Sequence, residues 1–138
     1  MRNVVLDTGP LVAFIDRRDR YHPWAVAQWN QIEVPLLTCE SVISEAVFLL
    51  RGVPHGTRGV LDALERSGVS MPFRLQEELK AVARLMTRYR DIPMSLADAC
   101  LVRMTELESR SIVLTLDDDF RVYRRNRRQP VPTITPNA

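Results

Sequence analysis

The sequence contains few cysteines, a single lysine and no long apolar run, and each shortage narrows the class of protein. Cys39 and Cys100 stand alone in apolar helical patterns, with no C-x-x-C pair and no clustered histidines to complete a zinc site. No stretch approaches the roughly 20 apolar residues of a membrane span, and the residues after Met1 do not resemble a secretory leader. We therefore expect two reduced core cysteines and a cytoplasmic protein with no membrane contact.

The basic residues are almost all arginine, because Lys80 is the only lysine among 19 basic residues. The formal net charge is only +2, so the bias concerns the type of basic residue rather than the total charge. A guanidinium group forms bidentate hydrogen bonds with phosphate and stacks on bases, which favours a nucleic-acid-binding surface. A bias in genome base composition would also enrich arginine, and that alternative stays open.

Length and patterning predict one globular α/β domain over residues 1–138, with 46% hydrophobic and 26% charged residues. The predicted strands are residues 3–6, 34–38, 69–73, 112–116 and 131–134. The predicted helices are residues 10–15, 22–32, 39–50, 58–67, 76–89 and 96–109. Short apolar strands that alternate with helices predict a mostly parallel sheet with helices on both faces. Pro72 favours an edge position for the strand that contains it.

Two of the predicted strands end at an aspartate, Asp7 or Asp117. Ligands of parallel α/β folds bind at the carboxyl ends of the strands, so we expect both side chains at the same edge of the sheet. Each also has a simpler explanation, because an aspartate at such a junction often caps the next helix. Asp98 lies three residues after Ser95, which is the spacing of a capping box. Capping and metal binding are compatible, and both interpretations stay open.

Glu45 is harder to explain as a surface residue. Its neighbours about one helical turn away include Val42, Phe48 and Leu49. The carboxylate is therefore expected on or beside the stripe that faces the core, and Asp98 lies in a similar apolar pattern. Buried carboxylates need a partner, and no lysine or arginine lies within four residues of Glu45. A divalent cation supplies that partner, because it prefers carboxylate oxygens, and it also assists phosphodiester hydrolysis by water.

Four short motifs occur in a fixed order along nearly the whole chain. They are Val4-Val5-Leu6-Asp7-Thr8-Gly9-Pro10-Leu11, Ser41-Val42-Ile43-Ser44-Glu45-Ala46, Ser95-Leu96-Ala97-Asp98-Ala99 and Thr115-Leu116-Asp117-Asp118-Asp119-Phe120. In this order and spacing they resemble the PIN-domain ribonucleases and, within that superfamily, the VapC-type toxins of bacterial and archaeal toxin–antitoxin pairs. The resemblance implies a three-layer α/β/α fold and cleavage of RNA that depends on Mg²⁺ or Mn²⁺.

The resemblance also implies roles for individual residues. Carried over position by position, it implies that the metal ligands are Asp7, Asp98 and Asp117. Glu45 would orient the attacking water or hold a second metal. Thr8 and Thr115 would support these acids through their hydroxyl groups, and Asp119 would be a further acid close by. The end of the apolar strand favours Asp117 over its acidic neighbours as the inward-facing residue. The resemblance further implies a homodimer and a cognate antitoxin whose C-terminal segment fills the active-site groove.

The densest basic run follows the last acidic motif. It includes Arg121, Arg124 and Arg125 and continues to Arg128, with Tyr123 among them. A solvated surface turn would account for such a run. A phosphate-binding patch accounts for it equally well, and the run begins four residues after Asp117. We therefore predict that Arg121, Arg124 and Arg125 contact RNA.

Three other functions compete with that of a metal-dependent ribonuclease. A phosphatase that uses Asp7 as its nucleophile is disfavoured, because Gly9 stands where such enzymes have a second aspartate as their acid/base. A stand-alone RNA-processing PIN nuclease, without an antitoxin, stays open. A non-catalytic RNA-binding module, in which the acids are structural, also stays open.

Overall fold

A parallel sheet of five strands forms the centre of the protein, which a computed structural model describes over residues 2–66 and 68–136. The strands, in chain order, are β1 (Asn3–Leu6), β2 (Leu36–Leu37), β3 (Val69–Ser70), β4 (Ser111–Leu114), β5 (Arg124–Arg125), β6 (Gln129–Pro130) and β7 (Thr133–Ile134). The main sheet has the order β3-β2-β1-β4-β7, and each neighbouring pair is parallel. The predicted parallel sheet and the edge position of the Pro72 segment are confirmed.

Helices flank this sheet and confirm the predicted three-layer α/β/α class. They are α1 (Thr8–Ile15), α2 (His22–Gln31), α3 (Glu40–Leu49), α4 (Gly56–Glu65), α5 (Leu75–Arg88) and α6 (Leu96–Leu107). Helix α1 packs against α2, α3 and α4, α3 also packs against α4, and α5 packs against α6. The predicted end of α4 at residue 67 lies outside the described residues. Among the described residues, no helix has both the length and the hydropathy needed to cross a bilayer.

The two central strands bring remote parts of the chain to one edge of the sheet. β1 and β4 are parallel neighbours, and Leu6 lies opposite Leu114 at their carboxyl ends. The N–H of Asp7 donates to the carbonyl of Leu114 at 3.0 Å, which extends the pairing by one residue. Asp7 and Thr115 therefore leave the sheet side by side, although 108 residues separate them in sequence.

Helix α6 is the most deeply buried helix beside the site. Its first two turns include Asp98 and the apolar residues Ala97, Ala99, Cys100 and Leu101, all of which are buried. The helix is covered on most of its circumference, so a carboxylate in its first turn has little contact with water. Both cysteines are buried and neither forms a disulfide, as predicted.

The chain after β4 differs most from the sequence expectations. A 3₁₀ helix, Asp118–Arg121, follows the last acidic motif. β5 and β6 then form a short antiparallel hairpin that is separate from the main sheet. The sequence did not predict this hairpin, because each of its strands has two residues and neither shows apolar alternation.

Candidate metal centre

Asp7 is the most deeply buried acid at the edge of the sheet, with 6% of its surface exposed. Its Oδ1 accepts a hydrogen bond from the N–H of Thr8 at 2.8 Å, and its Oδ2 accepts one from the Thr115 hydroxyl at 2.6 Å. Burial raises the pKa of Asp7 to about 7, because desolvation outweighs these two hydrogen bonds and the charges of Asp98 and Asp117 raise the pKa further. Asp7 therefore caps α1 and also faces the candidate site.

Asp98 is buried in the first turn of α6, with 8% of its surface exposed. Its N–H donates to the Ser95 hydroxyl oxygen at 3.0 Å, so Ser95 caps the helix as the sequence suggested. Its carboxylate accepts a hydrogen bond from the Tyr123 hydroxyl at 2.7 Å. Burial is the main cause that raises the pKa of Asp98, and the charge of Asp117 adds to it. Helix capping and a role in the site are compatible, because capping involves the N–H of Asp98 and the site involves its carboxylate.

Asp117 and Asp119 bring two more carboxylates to the same place. Asp117 caps the 3₁₀ helix through a hydrogen bond from the N–H of Asp119, and its own N–H donates to the Thr115 hydroxyl. Oxygens of Asp98, Asp117 and Asp119 all lie within 4.8 Å of one another. The intervening Asp118 is exposed and lies 3.9 Å from Arg121. The carboxylate group therefore includes Asp117 and the further acid Asp119, while Asp118 lines the cleft at its exposed rim.

The expected burial of Glu45 is wrong. Glu45 is exposed on α3, and so are Phe48 and Leu49, at 60% and 56%. The face of α3 that enters the core carries Val42 and Ala46 instead. Apolar residues lie on both sides of this helix, so the helical spacing alone did not identify the buried side.

Glu45 nevertheless belongs to the site. Its Oε2 accepts a hydrogen bond from the Thr8 hydroxyl at 2.8 Å, which holds the side chain over the start of α1. Its charge also raises the pKa of Asp98. The carboxylate therefore faces the open side of the site, where it contacts water.

An open cleft of about 670 Å³ joins these groups. The predicted site residues that line it are Asp7, Thr8, Glu45, Asp98, Asp117 and Asp119, while Thr115 lies behind Asp7. Within the described ranges, no lysine, arginine or histidine lines the cleft. The carboxylates therefore repel one another, and no cationic side chain among the described residues of the cleft lining compensates their charge.

Comparison with known proteins supports the assignment of the fold. Residues 4–126 match the family model of the PIN domain. The chain belongs to the PIN domain family. A solved structure of similar fold is that of the Mycobacterium tuberculosis toxin VapC20, which cleaves the sarcin-ricin loop. The TM-score is 0.68 at 20% identity, over 85% of this chain and 92% of that chain. No curated protein sequence matches this PIN domain.

Tyr123 is a site residue of this PIN domain that the sequence analysis missed. It is fully buried and packs edge-on against Tyr89 and Phe120. Its hydroxyl group donates a hydrogen bond to the carboxylate of Asp98. Burial and the hydrogen bond to Asp98 raise the pKa of Tyr123, so it remains a donor. Its position in an arginine-rich run gave no sign of burial. The weak signal was the pair of aromatic residues, three apart, that follows the acidic motif.

Two of the three predicted RNA-binding arginines donate hydrogen bonds from their guanidinium groups to backbone carbonyls of this PIN domain. Arg124 donates to the carbonyls of Arg121 and Tyr123, at 2.8 and 2.9 Å. Arg125 donates to the carbonyls of Thr105 and Ser109, both at 3.2 Å, and so covers the end of α6. Arg121 is exposed. An RNA-binding role for these three arginines stays a prediction.

The donors at this site suit a hard divalent cation. All of them are carboxylate oxygens, which are the ligands that Mg²⁺ and Mn²⁺ prefer. Oxygens of Asp98, Asp117 and Asp119 lie within 4.8 Å of one another, so the three carboxylates are close enough to share one cation after a small adjustment of their side chains. Asp7 is not in that group of three, but the charges of Asp98 and Asp117 raise its pKa. Asp7 stays a predicted ligand.

Proposed function

We propose that the protein is an endoribonuclease that depends on Mg²⁺ or Mn²⁺ and hydrolyses RNA phosphodiester bonds in the acidic cleft. The observation that carries this proposal is the burial of Asp7 and Asp98 in a cleft with no basic residue among the described ones. Buried carboxylates without cationic partners are unfavourable, so a ligand of opposite charge accounts for them. Membership of the PIN domain family supports the same function.

Each chain residue has a distinct part in the proposed mechanism. Asp98, Asp117 and Asp119, with Asp7, would hold the cation. When bound, the cation supplies Lewis-acid polarisation of a phosphate oxygen and a lowered pKa for water. Glu45 lies on the open side, where its carboxylate orients a water molecule towards the phosphate. No covalent intermediate is required.

The supporting residues fix the orientation of the acids before substrate arrives. Thr115 and the N–H of Thr8 hold both oxygens of Asp7. Tyr123 holds one oxygen of Asp98. Fixed donors of this kind reduce the reorganisation needed when a ligand binds.

We further propose that the protein is the toxin of a toxin–antitoxin pair, acts in the cytoplasm and forms a homodimer. The likeness of fold to VapC20 supports this, and so do the exposed apolar residues Phe48 and Leu49 beside the cleft, which a protein partner would cover. A short reading frame for a DNA-binding protein directly upstream of the gene would support the pair. Its absence would favour a stand-alone RNA-processing nuclease.

Cleavage of labelled single-stranded RNA tests the central proposal. We expect cleavage with Mn²⁺ or Mg²⁺, none with EDTA, and none by the Asp7→Asn and Asp98→Asn variants. Asp91→Asn is a matched control, because Asp91 is exposed and lies outside the carboxylate group. RNA binding without cleavage in Mn²⁺, with a melting temperature indifferent to the cation, would instead indicate a non-catalytic RNA-binding module.

A further inference from the structure

A second concave site lies between α5, α6 and the turn of the β5–β6 hairpin. It has a volume of about 330 Å³. The polar residues that line it are Arg84, Arg88, Arg103, Glu106, Asn126 and Arg127. None of these residues belongs to the acidic cleft, and we call this site the arginine pocket.

One of the four arginines is neutralised by carboxylates. Arg103 donates to Glu78 at 2.8 Å and to Glu106 at 3.1 Å. The second oxygen of Glu106 accepts a hydrogen bond from the N–H of Asn126 at 2.7 Å, so both oxygens of this carboxylate have a partner. Within residues 2–66 and 68–136, no carboxylate forms an ion pair with the remaining pocket arginines, which are Arg84, Arg88 and Arg127.

Helix α5 presents two of these unpaired charges on one face. Arg84 and Arg88 are four residues apart, exposed and part of the same pocket lining, so they lie on one face of the helix. Like charges at this spacing repel one another. An anion bound between them would remove the repulsion, and the fork-shaped guanidinium suits the oxygens of a phosphate.

The hairpin turn adds the third charge in an unfavourable backbone conformation. Asn126 and Arg127 have φ angles of 50° and 71°, in the left-handed region. Asparagine adopts this region readily, whereas arginine does so rarely. Contacts from both helices hold the turn there: Glu106 binds the N–H of Asn126, and Arg88 donates to the carbonyl of Arg127 at 2.6 Å. Glycine would be less strained at this position, so arginine here costs some folding stability. A ligand-binding role for its guanidinium group would account for that cost.

We propose that the arginine pocket binds a phosphate of the RNA backbone, outside the acidic cleft, through Arg84, Arg88 and Arg127. This inference rests on the proposed ribonuclease function. Asp98 and Glu106 lie eight residues apart in α6, which is about 12 Å along the helix axis. A strand of a few nucleotides spans that distance, so in this proposal one RNA strand occupies both sites, with the bound phosphate a few nucleotides from the cleaved bond. The pocket would anchor and orient long substrates and would not act in the chemical step.

The test compares two double variants of equal charge. Arg84→Gln with Arg127→Gly removes two pocket charges and relieves the strained turn. Arg66→Gln with Arg90→Gln removes two exposed charges that lie outside both the pocket and the basic run at Arg121 to Arg128. Thermal melting checks that both variants are folded. Arg84→Gln alone provides a second variant on an exposed helix position, in case the turn substitution alters the hairpin.

Binding is measured by fluorescence anisotropy with labelled single-stranded RNA of about 20 nucleotides in EDTA, at several salt concentrations. We expect the pocket variant to bind RNA roughly tenfold more weakly than the wild type. The negative slope of log affinity against log salt should become less steep by about 1. The control variant should bind within about twofold of the wild type. Equal affinities and slopes for the two variants would overturn the proposal.

Cleavage separates this inference from the proposed function. In Mn²⁺, the pocket variant should lose kcat/KM on the long RNA by roughly the same factor as its affinity, and retain wild-type cleavage of a dinucleotide that cannot span both sites. If the wild type cleaves and the pocket variant matches it on long RNA, the arginine pocket is refuted and the nuclease stands. If the wild type binds RNA through the pocket but does not cleave, the nuclease proposal fails and the pocket stands.

Discussion

The Tyr123 hydroxyl donates a 2.7 Å hydrogen bond to the carboxylate of Asp98 from a fully buried position. Asp98 lies in the first turn of α6, and Tyr123 follows the 3₁₀ helix, so this bond ties together two of the segments that supply acids. The aromatic packing of Tyr123 on Tyr89 and Phe120 fixes the direction of the bond. The orientation of a predicted metal ligand is thus set by the hydrophobic core.

The first prediction concerns this bond. Tyr123→Phe keeps the packing but leaves one oxygen of Asp98 without its donor, so the apparent affinity for Mn²⁺ or the cleavage rate should fall about 10- to 100-fold. Tyr21→Phe is the control, because Tyr21 lies near the surface and outside the cleft. Cleavage assays over a range of Mn²⁺ concentrations measure the effect. Equal Mn²⁺ dependence in the two variants would contradict a positioning role.

The second prediction concerns Thr115, whose hydroxyl contacts two acids. It donates to Asp7 and accepts the N–H of Asp117. Thr115→Val keeps the shape and removes both bonds in a fully buried place, so we expect a loss of about 1–3 kcal/mol in the free energy of unfolding and a fall in cleavage. Thr115→Ser retains the hydroxyl and should recover most of the activity. Valine and serine variants of equal activity would show that the hydroxyl is not needed.

The third prediction concerns Glu45, which the structure places on the exposed side of the cleft. Glu45→Gln should reduce cleavage at least about tenfold and change the free energy of unfolding by less than about 0.5 kcal/mol. Glu40→Gln, also exposed on α3, is the matched control. Cleavage rates and chemical denaturation measure the two effects. A stable variant with undiminished cleavage would remove Glu45 from the proposed mechanism.

The fourth prediction concerns the stability of the metal-free protein. The pKa of Asp7 is about 7 in the folded state and near 3.8 when unfolded, so the folded state holds this proton more tightly. Between these two values the folded state binds more protons than the unfolded state, and its stability therefore falls as the pH rises. In EDTA, the melting temperature should decrease from pH 4 towards pH 7, and Asp7→Asn should reduce that decrease. A wild-type slope that is unchanged in Asp7→Asn would contradict the burial argument.

The sequence predicted those parts of the site that follow from strand ends. Asp7 and Thr115 leave parallel neighbouring strands, so a short apolar run followed by a polar residue was enough to place them together. The same reasoning predicted the sheet, because the first four strands of the main sheet alternate with pairs of helices. The sheet strands were shorter than expected, since β2 and β7 have two residues each.

Other parts of the site depend on contacts that spacing does not encode. Helix α3 carries apolar residues on two sides, so the expected burial of Glu45 was wrong, although the residue lines the cleft. The burial of Tyr123 and the position of Arg127 depend on the path of the chain after the 3₁₀ helix. That path is set by packing against α5 and α6, for instance through the bond from Arg88 to the carbonyl of Arg127.

The proposed function requires that carboxylates from three segments of the chain hold one divalent cation. Titration calorimetry of Mn²⁺ into the wild type, Asp98→Asn and Asp91→Asn measures this without any substrate. We expect saturable binding by the wild type and Asp91→Asn, and affinity lower by about tenfold or more for Asp98→Asn. Equal Mn²⁺ affinity in all three proteins, or no binding by the wild type, would contradict the account.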